Sequence, residues 1–237
     1  MIAKWYMLTL CCAIGVFFSD VQILANEKRP IDGISDNSFL VEEAYNQEQG
    51  EVQHIFNAVY TNDSRRRGWS FNLTQEWWLF SPDHQISYSI PSYRLWEQGE
   101  KRRGIGDILV EYRYQLLDEG PNLPAVAPKF SLFLPTGNRD RGTGNGAVGY
   151  EWSIAASKKV APRFALHGNL GLTYLPKVRV ALDADQRLSP KRSLVSYSVG
   201  ASAVFALSSH IHMLLEWVSE FEQDINDEGK KKRAFKA

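Results

Sequence analysis

Apolar and polar residues alternate at period two along most of the chain after Gly50. Phe164, Leu166, Leu170, Leu172 and Tyr174 share one parity, while Arg163, His167, Asn169 and Thr173 share the other. Successive side chains of a strand point to opposite sides, so this stretch has one oily face and one wet face. Ile108, Val110, Tyr112, Tyr114 and Leu116 stand against Asp107, Glu111, Arg113 and Gln115 in the same way. Val148, Tyr150, Trp152 and Ile154 oppose Glu151 and Ser153, and Val195, Tyr197, Val199 and Phe205 oppose Ser196, Ser198 and Ser202. Further strands are expected at 51–60, 69–80, 85–93, 127–135 and 210–221, nine in all, with no amphipathic helix between them.

The breaks between these stretches alternate in length. Long charged ones at 61–68, 94–106, 136–146 and 176–191 take turns with short ones at 81–84, near Val160 and at 207–209, while 118–126 is intermediate. Such strands build either a soluble sandwich or lipocalin with its oily face inward, or a membrane barrel with its oily face toward lipid. Strand lengths near the ~9–11 residues that cross a bilayer at a tilt favour the membrane. So do the aromatics near strand ends, among them Tyr60, Trp69, Trp77, Trp78, Tyr93, Trp96, Tyr174, Trp217 and Phe221. Full charges in mid-strand at Glu76, Glu111, Arg113, Glu151 and Glu216 would be costly in a dry core and acceptable in a wet or paired lumen. The expected fold is therefore all-β, an antiparallel transmembrane β-barrel of outer-membrane type over residues 51–237.

Nine strands leave that barrel incomplete, because bacterial barrels of this type use an even number. Either the chain is truncated at its C-terminal end, which places the tail with Lys230–Arg233 outside, or 38–45 supplies a tenth strand. Two stretches fit the alternation poorly: 51–60, and 69–80, where Gln75 and Trp78 fall on the wrong parities and suggest a bulge.

The N-terminus has a different character. Lys4, the apolar run 5–18 and Ile23-Leu24-Ala25 read as a secretory signal peptide over 1–25, followed by a periplasmic segment at 26–50. The run is too short and its far flank too weakly basic for a spanning helix. Cys11 and Cys12, the only two cysteines, lie in this run, so the exported domain is expected to hold no disulfide. With 27 basic and 27 acidic residues the chain shows no bias toward nucleic acid.

The stretches at 42–55 ("EEAYNQEQGEVQHI"), 104–117 ("GIGDILVEYRYQLL") and 130–137 ("FSLFLPTG"), with the Gly-rich loop running into "GYEWSIAASK", resemble the outer-membrane transporter family associated with the meta-pathway of phenol degradation. The resemblance extends over 42–216. It implies an outer-membrane barrel for uptake of small, often hydrophobic compounds, with no catalytic residues to carry over.

Candidate chemistry concentrates on the wet face: Glu76, Asp107, Glu111, Arg113, Lys129, Glu151, Arg163, His167 and Glu216, with Asn57, Asn72 and Asn169. Such a lining could select solutes by charge, or its charges could pair across strands and fill a narrow barrel. Neither a metal site nor a cofactor is expected. His210 and His212 share a face with Glu216, which is too little for a metal. Ser208 and Ser209 beside His210 lack a nucleophile elbow. The expectation is a barrel with no chemical step, with a lipid-modifying hydrolase and a structural or adhesive barrel as alternatives. Basic groups at 65–67 and 101–103, with Arg139 and Arg141, suit lipopolysaccharide phosphates or ordinary solvated loops. Gly144-x-Gly146-x-x-Gly149 has the spacing of a dinucleotide cradle, but it leads into period-two residues, not a helix. It is read as the flexible end of a loop entering a strand.

Overall fold

The structure is a computed structural model and describes residues 40–62, 66–97, 100–139, 141–178, 192–208, 211–225 and 231–236. The expected signal peptide, the first part of the expected periplasmic segment, Arg65, Ser209, His210 and Lys230 lie outside the described residues.

The alternating stretches form strands: β1 (Val52–Asn62), β2 (Arg66–Leu79), β3 (Ser81–Glu97), β4 (Glu100–Ile105), β5 (Ile108–Tyr114), β6 (Ala125–Leu134), β7 (Gly149–Ala161), β8 (Phe164–Val178), β9 (Arg192–Ala206), β10 (His212–Ile225) and β11 (Lys231–Lys236). All pair antiparallel in one sheet of order β1-β2-β3-β5-β6-β7-β8-β9-β10-β11, with β4 added to β3. The described residues contain no helix. The sheet curls into an incomplete barrel, in which β1 pairs with β2 and β11 with β10.

Two of these strands were not expected. The stretch 94–106 is not simply a loop, because β3 runs on to Glu97 and returns as β4, placing Lys101, Arg102 and Arg103 on a strand. The C-terminal tail pairs from Lys231 to Lys236 with residues 220–225 of β10. Neither stretch alternates, and neither has to: strand pairing needs backbone amides and carbonyls, whereas alternation is imposed only where one face is apolar. The irregularity expected near Trp78 is present as a register shift between Trp78 and Leu79, and Phe80 turns at a φ of 63°. The stretch 40–50 forms no strand of the sheet.

Burial is inverted relative to a water-soluble sandwich. The polar parity is shielded, with Gln85, Ser87, Glu111, Arg113, Ser131, Ser157, His167 and Ser202 all buried. The apolar parity is bare: Phe56, Tyr112, Trp152, Ile154, Leu170, Tyr197, Leu215 and Trp217 are exposed, Leu215 at 74%. This outer face carries aromatic pairs between neighbouring strands, such as Phe56 with Phe71 and Phe130 with Trp152. Exposed apolar area on this scale exceeds what a monomer leaves open to water.

Candidate functional site

Register arranges the polar face into transverse rows. One row runs Gln53, Glu76, Ser87, Glu111, Ser131, Glu151, Thr173, Ser196 and Glu222, each the cross-strand partner of the next from β1 to β10. Glutamates thus recur along it with small hydroxyls between them. The adjoining row carries the cations, since Gln85 pairs with Arg113 and Arg113 with Lys129. Residues two apart on a strand put these rows about 7 Å from each other. Lys129 is held 2.7 Å from Glu111, both side chains nearly closed off from water. Ser87 and Ser131 donate to the two Glu111 oxygens at 3.3 and 3.2 Å. Glu151 accepts from Thr173 at 3.1 Å.

The next rows are notable for small residues, with Ala127 opposite Ala155 and Asn169 opposite Gly200. The room they leave is filled by the chain itself. Residues 40–47 cross the polar face from β10 to β3 as an extended strap. Ala44 is fully buried against Ala125, Ala127 and Ala155, and Val41 lies over Gly200, where an added Cβ would come within 3.1 Å of it.

An extended chain away from a strand edge must find partners for its amides elsewhere. The side chains of the sheet supply them. The amides of Leu40 and Val41 donate to Glu216 at 3.1 Å, that of Glu42 to Asn169 at 2.6 Å, that of Ala44 to Ser157 at 2.8 Å, that of Asn46 to Gln115 at 3.3 Å and that of Gln47 to Gln85 at 2.8 Å. The Asn169 amide returns a bond to the Glu42 carbonyl at 2.8 Å, so one side chain imitates a strand neighbour. Arg113 donates to the carbonyls of Glu43 and Tyr45 and to Asn46 Oδ1 at 3.0–3.2 Å. Lys129 also pairs with Glu42, and the Gln47 side-chain amide donates to Gln53 and to Glu76.

At its far side the strap meets the connection between β5 and β6. Tyr45 donates to Glu119 at 2.8 Å, and Glu119 also accepts from the Lys159 amide and pairs with Lys158 at 3.2 Å. Partial burial works to raise the Glu119 carboxyl, but these three donors outweigh it and hold the group below the ordinary carboxylate value. For Glu42, whose side chain is only partly covered, desolvation is likewise outweighed by Lys129 and Arg113, and its carboxyl is lowered. Burial beside Glu119 pushes the Tyr45 phenol up.

On the glycine-loop side of the glutamate row lies a cavity of about 520 Å³ walled by Asn72, Tyr93, Leu95, Leu109, Phe133 and the 142–145 loop. Asp107, in the break between β4 and β5, builds that loop. Its carboxylate accepts from the amides of Gly137 at 3.0 Å and Asn145 at 2.7 Å. A Cβ on Gly144 would strike Asp107 at 2.4 Å and the Gly137 backbone at 2.8 Å. The glycines therefore serve close packing around a carboxylate, and the loop is pinned by these bonds where the sequence suggested a flexible end. Gly149 leaves room that Leu175 and Phe133 occupy, with Leu175 2.5 Å from an added Cβ.

The nine candidate residues thus divide into groups. Glu76, Glu111, Arg113, Lys129 and Glu151 form two adjoining rows, and Asp107 sits at the cavity beyond them. His167 bonds Ser157 at 2.8 Å while its buried Nε2 has no hydrogen-bond partner. Glu216 holds the strap. Arg163 lies exposed in the turn between β7 and β8. Among the described residues there is no cluster of three or more His, Cys, Asp or Glu able to hold a metal ion.

The profile of a protein family described as "Putative MetA-pathway of phenol degradation" matches residues 46–186, more than half of the chain. The chain belongs to this family. A comparison with curated proteins finds none that matches. The family match takes in β1 to β8 and the charges from Glu76 to Glu151, but only the last residues of the strap.

Proposed function

We propose that this family member is an exported barrel of the bacterial outer membrane that binds small molecules or lets them pass, without a chemical step. The observation that carries the reading is the inverted burial: an apolar, aromatic-rich outer face belongs against lipid, and a charged inner face belongs around water and solute. Membership of the family is compatible with it. Outer-membrane lipid and lipopolysaccharide are the expected surroundings, with the basic residues of β4 and of the loops near their phosphates. The glutamate row favours cationic or neutral solutes over anions.

Refolded protein in planar lipid bilayers tests this directly. Discrete conductance with a preference for cations is expected, and Glu76→Gln combined with Glu151→Gln should lower that preference severalfold. A correctly folded barrel that never conducts and binds no solute would remove the reading, and an unchanged ion preference in the double variant would remove the row as the filter.

A further inference from the structure

We propose that the strap at residues 40–47 is a displaceable gate, which closes the lumen when docked and admits solute when it leaves. This rests on the passage reading above.

Three features of the strap point the same way. Its amides are bonded to side chains, which can rotate back to water, whereas a strand of the sheet is bonded to fixed backbone. Each such bond contributes about 1 kcal/mol net, so the set is strong together and separable in steps. Its buried apolar contacts are few, Val41 and Ala44 being its buried hydrophobic residues.

The third feature lies in the wall. Groups that grip the strap hold a second partner that stays behind when the strap goes. Lys129 keeps Glu111, and Gln85 keeps both Arg113 and Glu76. Ser157 keeps His167. Removing one member of a buried pair is costly because the other is left alone. Arg113 gives up its bonds to Glu43, Tyr45 and Asn46 and keeps Gln85, but the departure that removes them also opens its guanidinium to lumen water, so the barrel can stand open as well as closed. The small row under the strap, with Ala127, Ala155 and Gly200, is then uncovered on the inner face.

Two variants, made in protein with Cys11 and Cys12 replaced by serine, test the gate. The first is the pair A44C/A155C, whose positions pack together, oxidised to lock the strap and then reduced. The second, Asn169→Ala with Glu216→Gln, loosens the strap and leaves Lys129, Glu111 and Arg113 in place. Heat-modifiable migration checks the fold of each, and reaction of a lone A44C thiol with a water-soluble maleimide reports whether the strap is docked. The gate predicts at least tenfold lower conductance in the locked form, recovered on reduction. It also predicts at least fivefold faster labelling with raised conductance in the loosened form. A locked barrel that conducts as well as the reduced one overturns the gate and leaves the passage reading intact, as does faster labelling without any gain in conductance. If no form conducts, reduced and loosened barrels included, the passage reading fails and the gate falls with it.

Discussion

Lys129 stands between two carboxylates that differ in exposure. Glu111 is nearly closed off from water, while Glu42 keeps almost half of its side chain open to the lumen. Lys129→Met leaves the Glu111 carboxylate buried without its cation and should cost about 3–5 kcal/mol in urea unfolding of the refolded barrel. Glu42→Gln should cost less than about 1 kcal/mol, since Lys129 retains Glu111 and the lost group is partly solvated. Equal costs would show that the strap, not the wall, is what Lys129 stabilises. At this scale the sequence was informative about parity and silent about partners. Charges at mid-strand positions such as Glu111 and Glu151 could be assigned to the wet face because period two leaves no other place for them. Arg163 shares that parity but falls in a turn, where parity no longer decides direction. Asp107 reads as a lumen charge, yet its role is to receive the amides of a loop distant in sequence, which no spacing rule reveals.

Among the elements, the strands were legible and the strap was not. Strands β5 to β10 carry apolar side chains on one face and polar ones on the other, and that asymmetry writes itself into the sequence. Backbone amides and carbonyls suffice to pair β4 and β11, so their charged residues gave no sign of it. The strap has no period, because its amides are held by Asn169, Ser157 and Gln85 and its own side chains meet partners one by one, not as a shared apolar face. The one trace in the sequence is on the other partner: alanines and a glycine at 125, 127, 155 and 200, on a face that an open channel has no need to keep small. The strap also carries a pH dependence. Glu119, which receives Tyr45, and Glu42 both have carboxyls lowered below the ordinary value of 4.5. Their contribution to docking is therefore fully present above about 4.5 and is lost as pH falls through the lowered, docked values. A fluorescent probe on L40C, at an exposed position, should lose anisotropy on acidification below about 4.5. Glu119→Gln should flatten part of that transition, and a curve indifferent to both pH and the variant would remove these carboxylates as latches.

For the whole molecule, the decisive property is which face meets what. Leu215 is bare on the outer face, opposite Ala203 of β9. If that face lies in lipid, Leu215→Arg should destabilise the barrel by about 2–4 kcal/mol in vesicles when the site is near the bilayer midplane. On a water-exposed surface the same change stays within about 0.5 kcal/mol, and that result would contradict the membrane assignment. The strap adds a constraint of another kind. It is anchored at Glu216 on β10 and at Gln85 on β3, seven residue steps apart, a span of at most about 24 Å for extended chain. Between the same strands lie six inter-strand spacings, about 29 Å measured along the sheet. The strap is thus a chord shorter than its arc, as suits a sheet that curls toward it. A docked strap that acts as a string across the bow would help set this curvature, and inserting one residue between Glu42 and Ala44 should then widen the arc while leaving each strand pair in register.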